Sequence, residues 1–214
     1  MRQILRLLIL LSLVVLPAQA DDAAERILSW CRKNYPNFTF QNTRQSGNWS
    51  VVEGQLTEHQ LPARFLFRRH DRGGWFEIAF VRRGYDLSAE DLFSAGVLTR
   101  DIASLLPQNP GIARLRNLPP DSLVLDRFSL AGEKDYPDGM RRDPWSMMLL
   151  RNEIYARHGR PFQDPELRAI FLERGWYHPD AAYSDTRLTR RQADNVRALL
   201  RWQKRTEANL ERIP

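Results

Sequence analysis

Four residues within one short stretch could act together chemically: Arg151, Arg157, His158 and Arg160. The three guanidiniums stay charged at any ordinary pH and present paired N–H groups to carboxylate or phosphate oxygens. His158 adds an imidazole that takes up a proton near neutrality. A helix over this stretch would stop at Gly159, so His158 would sit at a helix C-terminus, where the dipole favours its protonated form. Such a positive edge could receive an anionic group. The same stretch admits a structural role. Glu153 and Arg157 stand at i, i+4, the order that suits an ion pair on a helix face. Asn152 and Tyr155 stand at i, i+3, and Asn152 is within reach of the loop backbone after Gly159.

Templates for bond-making chemistry are not met. The sequence has no H-E-x-x-H, and its single Cys31 excludes the paired-cysteine zinc patterns. It has no G-x-S-x-G, and Ser29 to Arg32 misses S-x-x-K at its last position. The four histidines are His59, His70, His158 and His178; His70-Asp71 and His178-Pro179-Asp180 place a carboxylate near an imidazole without a visible third group. No catalytic residue, metal ligand or cofactor is expected. Cys31 falls at helical spacing with Ile27 and Leu28 and reads as a small buried hydrophobe, with a bridge between chains as the alternative.

Three helices must position the Arg/His cluster. Asp143-Pro144 opens the first with an acidic cap and a proline where no N–H is needed. Trp145, Met148, Leu149, Ile154 and Tyr155 lie along it, and Gly159 can close it in the left-handed conformation. Asp164-Pro165 repeats that opening; Leu167, Ile170 and Phe171 follow, and the second helix is expected to end at Gly175. Thr189 with Gln192 is a capping box for a third helix with a stripe of Ala193, Val196, Leu199 and Leu200. Helices this short bury little by themselves, so Trp145, Tyr155, Phe162, Phe171, Trp176 and Tyr177 must supply the remaining core.

The run Leu150-Arg151-Asn152-Glu153-Ile154-Tyr155-Ala156-Arg157-His158-Gly159-Arg160-Pro161-Phe162 resembles the signature of the YARHG domain family. Asp164-Pro165-Glu166-Leu167, Phe171, Trp176-Tyr177 and Leu188 are similar to its later positions, and the likeness covers roughly residues 143–205. The resemblance implies an extracellular bacterial domain, found beside peptidases and protein kinases, with no catalytic residue assigned. Asn152, Glu153, Tyr155, Gly159, Trp176 and Tyr177 are its family-signature positions.

The preceding part reads as α+β. A helix capped by Asp22 carries Ile27, Leu28 and Cys31 and stops at Tyr35-Pro36. Strand patterns follow at Phe38–Phe40, Trp49–Leu56, Ala63–Arg69 and Trp75–Val81, with a turn at Asp71-Arg72-Gly73-Gly74, which predicts an antiparallel sheet. Ser88 with Asp91 caps a mostly helical stretch to Leu106, and Ser122–Phe128 reads as a last strand. The polar stretch Ala131–Gly139 reads as a linker. The expected organisation is a signal peptide over residues 1–20, an α+β domain over 21–138 and a three-helix YARHG module over 140–208.

The first twenty residues have the form of an export signal. Arg2 and Arg6 precede an apolar run from Ile4 to Leu16, and Ala18-Gln19-Ala20 supplies small residues for cleavage after Ala20. An uncleaved anchor is the alternative. Past Ala20 no stretch is long and apolar enough to span a bilayer. Asn37-Phe38-Thr39 and Asn48-Trp49-Ser50 fit the glycosylation triplet, which means nothing in a bacterial host. Of the 32 basic residues only 3 are Lys. Residues 140–214 hold 15 basic and 10 acidic residues, a net of +5, against 15 and 16 over 21–139. Nucleic acid is a poor partner for an exported chain of modest charge without a recognition motif. The expectation is a periplasmic or secreted bacterial protein, non-enzymatic, that binds an anionic envelope polymer (peptidoglycan or lipopolysaccharide) or an envelope protein. The alternative is an envelope hydrolase, or an accessory or inhibitor of a peptidase.

Overall fold

The computed structural model describes residues 18–78, 87–108, 110–127, 129–133 and 143–214. The apolar run of the export signal, Ala79–Val81, Phe128 and most of the linker lie outside the described residues. The fold is α+β: a four-stranded antiparallel meander in the order β1-β2-β3-β4, with helices before and after it.

Helix α1 (Ala18–Asn34) buries Ile27 and Cys31 completely. It ends where Pro36, with no N–H, cannot continue the ladder. Arg32 and Lys33 fall in its last turn, where the dipole favours positive charge. The expected cap, Asp22, instead lies inside the helix. The helix starts earlier, and the Asp22 carboxylate pairs one turn on with Arg26 at 3.2 Å.

Strands β1 (Phe38–Ser46), β2 (Trp49–Leu56) and β3 (Leu61–Arg69) pair along most of their lengths, and β4 (Trp75–Glu77) closes the sheet. Alternation sends Val52, Ala63, Phe65 and Phe67 to one face, where they meet Ile27 and Cys31 of α1. Trp49, Val51, Leu66 and Phe76 go to the other face. That second apolar row explains why β2 reads as buried on both sides.

The second face is covered by α2 (Ala89–Ser94), α3 (Thr99–Leu105) and the C-terminal helices. The Ser88–Asp91 capping box is formed as expected. The helical stretch is broken at Gly96, at φ +88°, where a Cβ would lie 3.1 Å from Leu149 and 3.3 Å from Ile170. The expected strand over 122–128 is a 3-10 helix, Asp121–Arg127. Among the described residues it has no strand neighbour. Its backbone is satisfied by helix side chains instead: Glu153 accepts from the Ser122 N–H at 2.8 Å and Asn195 donates to the Leu125 carbonyl at 2.9 Å.

The three C-terminal helices are α4 (Pro144–Ala156), α5 (Pro165–Leu172) and α6 (Arg190–Ala208). The Asp143 and Asp164 caps and the Thr189–Gln192 capping box are all made. Helix α4 is central and buried nearly all round. Trp145 and Leu149 join the core under the sheet, while Met147 and Ile154 meet Val196, Leu199 and Trp202 of α6. The core under the sheet therefore draws on residues from both sides of the linker. Arg68 of β3 marks the seam. It lies 3.2 Å from the Trp145 ring centroid and donates to both Glu166 oxygens of α5, at 3.0 and 2.8 Å. At the other seam Trp75 and Ile213 exchange two backbone bonds of 2.7 Å, which ties the C-terminal residues to β4.

Candidate functional site

The Arg/His stretch occupies the last turns of α4 and the loop after it. Gly159 has φ +85°, and a Cβ there would lie 3.1 Å from the Asp180 Cβ and from the His178 carbonyl. Only glycine fits that turn. Its carbonyl accepts from the Asp180 N–H at 2.8 Å, so the loop after α4 is sewn to the loop before α6. Arg187 strengthens the seam, donating to Asp180 at 2.6 Å and to the His158 carbonyl at 3.3 Å. The Ala182 N–H and Arg187 together hold the Asp180 carboxyl below its usual range.

Arg157 and His158 turn toward Asp121–Arg127 and the start of α6. Arg157 forms a two-pronged pair with Asp126 and donates to the Ser122 hydroxyl at 3.3 Å. That pairing, helped by Gln192, holds the Asp126 carboxyl below its usual range. His158 Nε2 meets the Gln192 carboxamide oxygen at 3.0 Å, and the Gln192 amide donates to Asp126 at 3.2 Å. Arg157, Asp126, Gln192 and His158 thus close one polar bracket around the end of α4.

Glu153 does not pair with Arg157. It points inward, buried, and accepts from the Ser122 N–H. Burial pushes its carboxyl up to about 7, with nearby Asp121 adding to the rise, while the Ser122 N–H and Arg174 pull the other way. Asn152 is also turned inward. Its amide donates to the Met148 carbonyl at 2.8 Å rather than to the loop after Gly159. The helix is too enclosed by the 3-10 segment for either residue to face solvent.

Arg151 and Arg160 form a second group. The Arg160 guanidinium lies 4.4 Å from the Tyr155 ring centroid. Arg151 donates to the Gln203 carboxamide of α6 at 2.8 Å. Burial pushes the Arg151 guanidinium below its usual range; the nearby Tyr155 opposes that shift and the nearby Arg160 adds to it. Arg160 and Tyr155 also act on Tyr183, whose hydroxyl donates to Asp185 at 2.8 Å. Burial raises the Tyr183 hydroxyl well above its usual value, and Asp185 adds to the rise. Among the described residues no carboxylate lies within ion-pair distance of Arg151 or Arg160. The two guanidiniums, with Tyr155, Tyr183 and the Gln203 carboxamide around them, can accept an anionic oxygen group without first breaking a salt bridge.

Trp176 and Tyr177 stand behind this surface. Tyr177 is buried against Phe162 and Phe171 and donates to the Arg160 carbonyl at 2.9 Å, which fixes the backbone that carries Arg160. Sequence reasoning found the four cationic residues but not their partners. Gln192 was visible as a capping residue. Asp126, Gln203 and Tyr183 carry no local signal, because they arrive from other elements.

Among the described residues no group of three or more His, Cys, Asp or Glu side chains is placed to hold a metal, and no helix is long and apolar enough to cross a membrane. No curated protein and no solved structure matches the chain. Residues 130–204 match the YARHG domain family. The match begins at Leu130, whose N–H is held by Asn195 of α6 at 2.7 Å. The C-terminal part of this chain is a YARHG domain, a domain of extracellular and periplasmic proteins.

Proposed function

We propose that this is a non-enzymatic, exported bacterial protein, periplasmic or secreted, that binds an anionic component of the cell envelope through its YARHG domain. Arg151 and Arg160 receive the anionic group. The observation that carries this reading is that both guanidiniums belong to the end of α4 and its loop, on Gln203 and on the Tyr155 ring, with no carboxylate in ion-pair distance among the described residues. Two guanidiniums not neutralised by a carboxylate favour an arriving phosphate or carboxylate, to which each presents paired N–H groups. The net +5 of residues 140–214 favours approach of an anionic polymer. The family's occurrence in extracellular and periplasmic proteins and the export-type first twenty residues support the location.

Arg157 and His158 belong to the same stretch, but their side chains are engaged with Asp126 and Gln192. They hold the loop that carries Arg160 rather than contact the ligand.

The test is co-sedimentation of the purified protein with peptidoglycan sacculi and with lipopolysaccharide. Binding to at least one at low salt is expected, weakening as salt rises because the contacts are ionic and only partly buried. Binding to neither removes the polymer reading, and a protein of the envelope then becomes the partner to seek.

A further inference from the structure

The sheet face that turns toward α3 changes character along its length. At one end Trp49, Val51 and Leu66 form an apolar floor under the helices. At the other end the same rows continue as Glu53 and Gln55 on β2 and as Arg64 on β3. The change comes where α3 ends at Leu105 and its cover is lost. What remains is a groove of about 470 Å³, walled on its far side by Leu106 and Pro107. That volume falls within the ordinary range of small-molecule sites.

Two features show the groove to be organised rather than incidental. A β-bulge interrupts the β1–β2 register between Phe40 and Asn42. A bulge re-aims a side chain, and the extra residue, Gln41, lines the groove. The charged groups also hold one another in place. Glu53 Oε1 accepts from Arg44 at 2.5 Å and lies 3.7 Å from Arg64 Nε. Arg64 donates in turn to the Leu87 carbonyl at 3.4 Å. Around this fixed triad stand three carboxamides, Gln41, Gln55 and Gln108.

The chemistry of the lining selects the ligand by elimination. An anion would have to compete with the Glu53 carboxylate, which already engages both Arg44 and Arg64. A cation would be set against Arg44 and Arg64. An apolar ligand would strip water from every polar group without replacing its hydrogen bonds. A neutral molecule rich in hydroxyls fits, because each hydroxyl both donates and accepts, as does each carboxamide. Leu106 and Pro107 give such a molecule an apolar wall for its C–H face. We propose that this groove is a binding site for a neutral saccharide of about two rings, separate from the Arg151–Arg160 surface.

The test titrates the purified protein with maltose, N,N′-diacetylchitobiose and the acidic digalacturonate, followed by calorimetry and by the side-chain amide signals in ¹H–¹⁵N spectra. At least one neutral disaccharide is expected to saturate and to shift the amide signals of Gln41, Gln55 and Gln108. The double variant Gln41→Ala/Gln108→Ala should weaken that binding at least about tenfold. Both side chains are exposed, so the thermal melt should not change; if the pair melts early, Gln108→Ala alone gives the same reading. Arg151→Ala/Arg160→Ala should leave the disaccharide affinity unchanged, which separates this site from the other. The proposal is overturned if neither neutral disaccharide saturates below roughly 10 mM. It is equally overturned if digalacturonate binds more tightly than both, or if the glutamine variants bind as well as the parent.

Discussion

Glu153 makes a prediction that depends on one buried carboxyl. Its pKa in the folded protein is about 7, above the ordinary value of 4.5. As pH rises from about 4.5 to 7 the unfolded chain gives up this proton first, so the folded state loses stability across that window. The loss is on the order of 3 kcal/mol. Glu153→Gln keeps an acceptor for the Ser122 N–H and removes the titration. Thermal melts should therefore show the variant gaining on the parent between pH 4.5 and 8; a constant difference would count against the buried charge. Asp126 and Asp180, held low, act in the opposite sense and only in more acid solution. Arg68 gives a second prediction. It is nearly fully buried while its partner Glu166 is 35 % exposed. Glu166→Ala leaves a charge buried without its partner and should cost about 2 kcal/mol, less than the roughly 3–5 of a fully enclosed pair. Arg68→Met fills the slot between Trp49 and Trp145 and should cost less than that. Denaturant unfolding of both variants decides it, and the reverse order would contradict the buried-charge reading. The spacing of Glu153 and Arg157 had suggested a surface pair. The spacing was sound for an exposed helix, but nothing local in the sequence shows that α4 is enclosed on that side by Asp121–Arg127.

At the scale of elements, helix starts were readable because caps are local chemistry. Asp143-Pro144, Asp164-Pro165, Ser88 with Asp91, and Thr189 with Gln192 all begin helices as expected. Helix α3 shows what stays hidden. Its N-cap position, Leu98, makes no side-chain cap, and the N–H of Thr99, which has no partner within the helix, is met by Glu173 from the end of α5 at 2.9 Å. A cap delivered from 74 residues away leaves no local pattern. Glu173→Ala should cost about 1 kcal/mol, as loss of an ordinary cap does, with amide exchange rising first in α3. Unchanged protection of α3 would show that the contact contributes nothing. Ends were less legible than starts. Helix α5 stops at Leu172, and Gly175 serves a different need: its backbone approaches Arg116, whose carbonyl would lie 2.8 Å from a Cβ there. The segment over 122–128 misled for a related reason. Leu123, Val124 and Leu125 make a short apolar run with one β-branched member, but only Leu125 of the three is buried, and among the described residues no strand lies beside them to pair.

Over the whole molecule, the α+β class followed from the order of patterns, whereas the way the two parts meet did not. Apolar positions reveal which face of an element is buried but not which partner buries it. The structure joins the parts through one core, through Arg68 with Glu166, through His70 with Glu207 at 2.6 Å, and through the Trp75–Ile213 bridge. The expected consequence is a single cooperative unfolding transition, with tryptophan fluorescence and far-ultraviolet dichroism coincident; two separated transitions would instead support two independently stable domains. The account of function rests on a division of labour within one short stretch: Arg157 brackets the loop, while Arg151 and Arg160 meet the ligand. The direct measurement compares two variants for thermal stability and for co-sedimentation with sacculi and lipopolysaccharide. Arg151→Ala/Arg160→Ala, which loses the Gln203 bond and the Tyr155 contact but no ion pair, should melt only slightly below the parent and lose binding about tenfold or more, whereas Arg157→Ala should melt at a clearly lower temperature and bind near parent affinity while folded. If the first variant binds as the parent does, or if the second loses binding without losing stability, the division is contradicted.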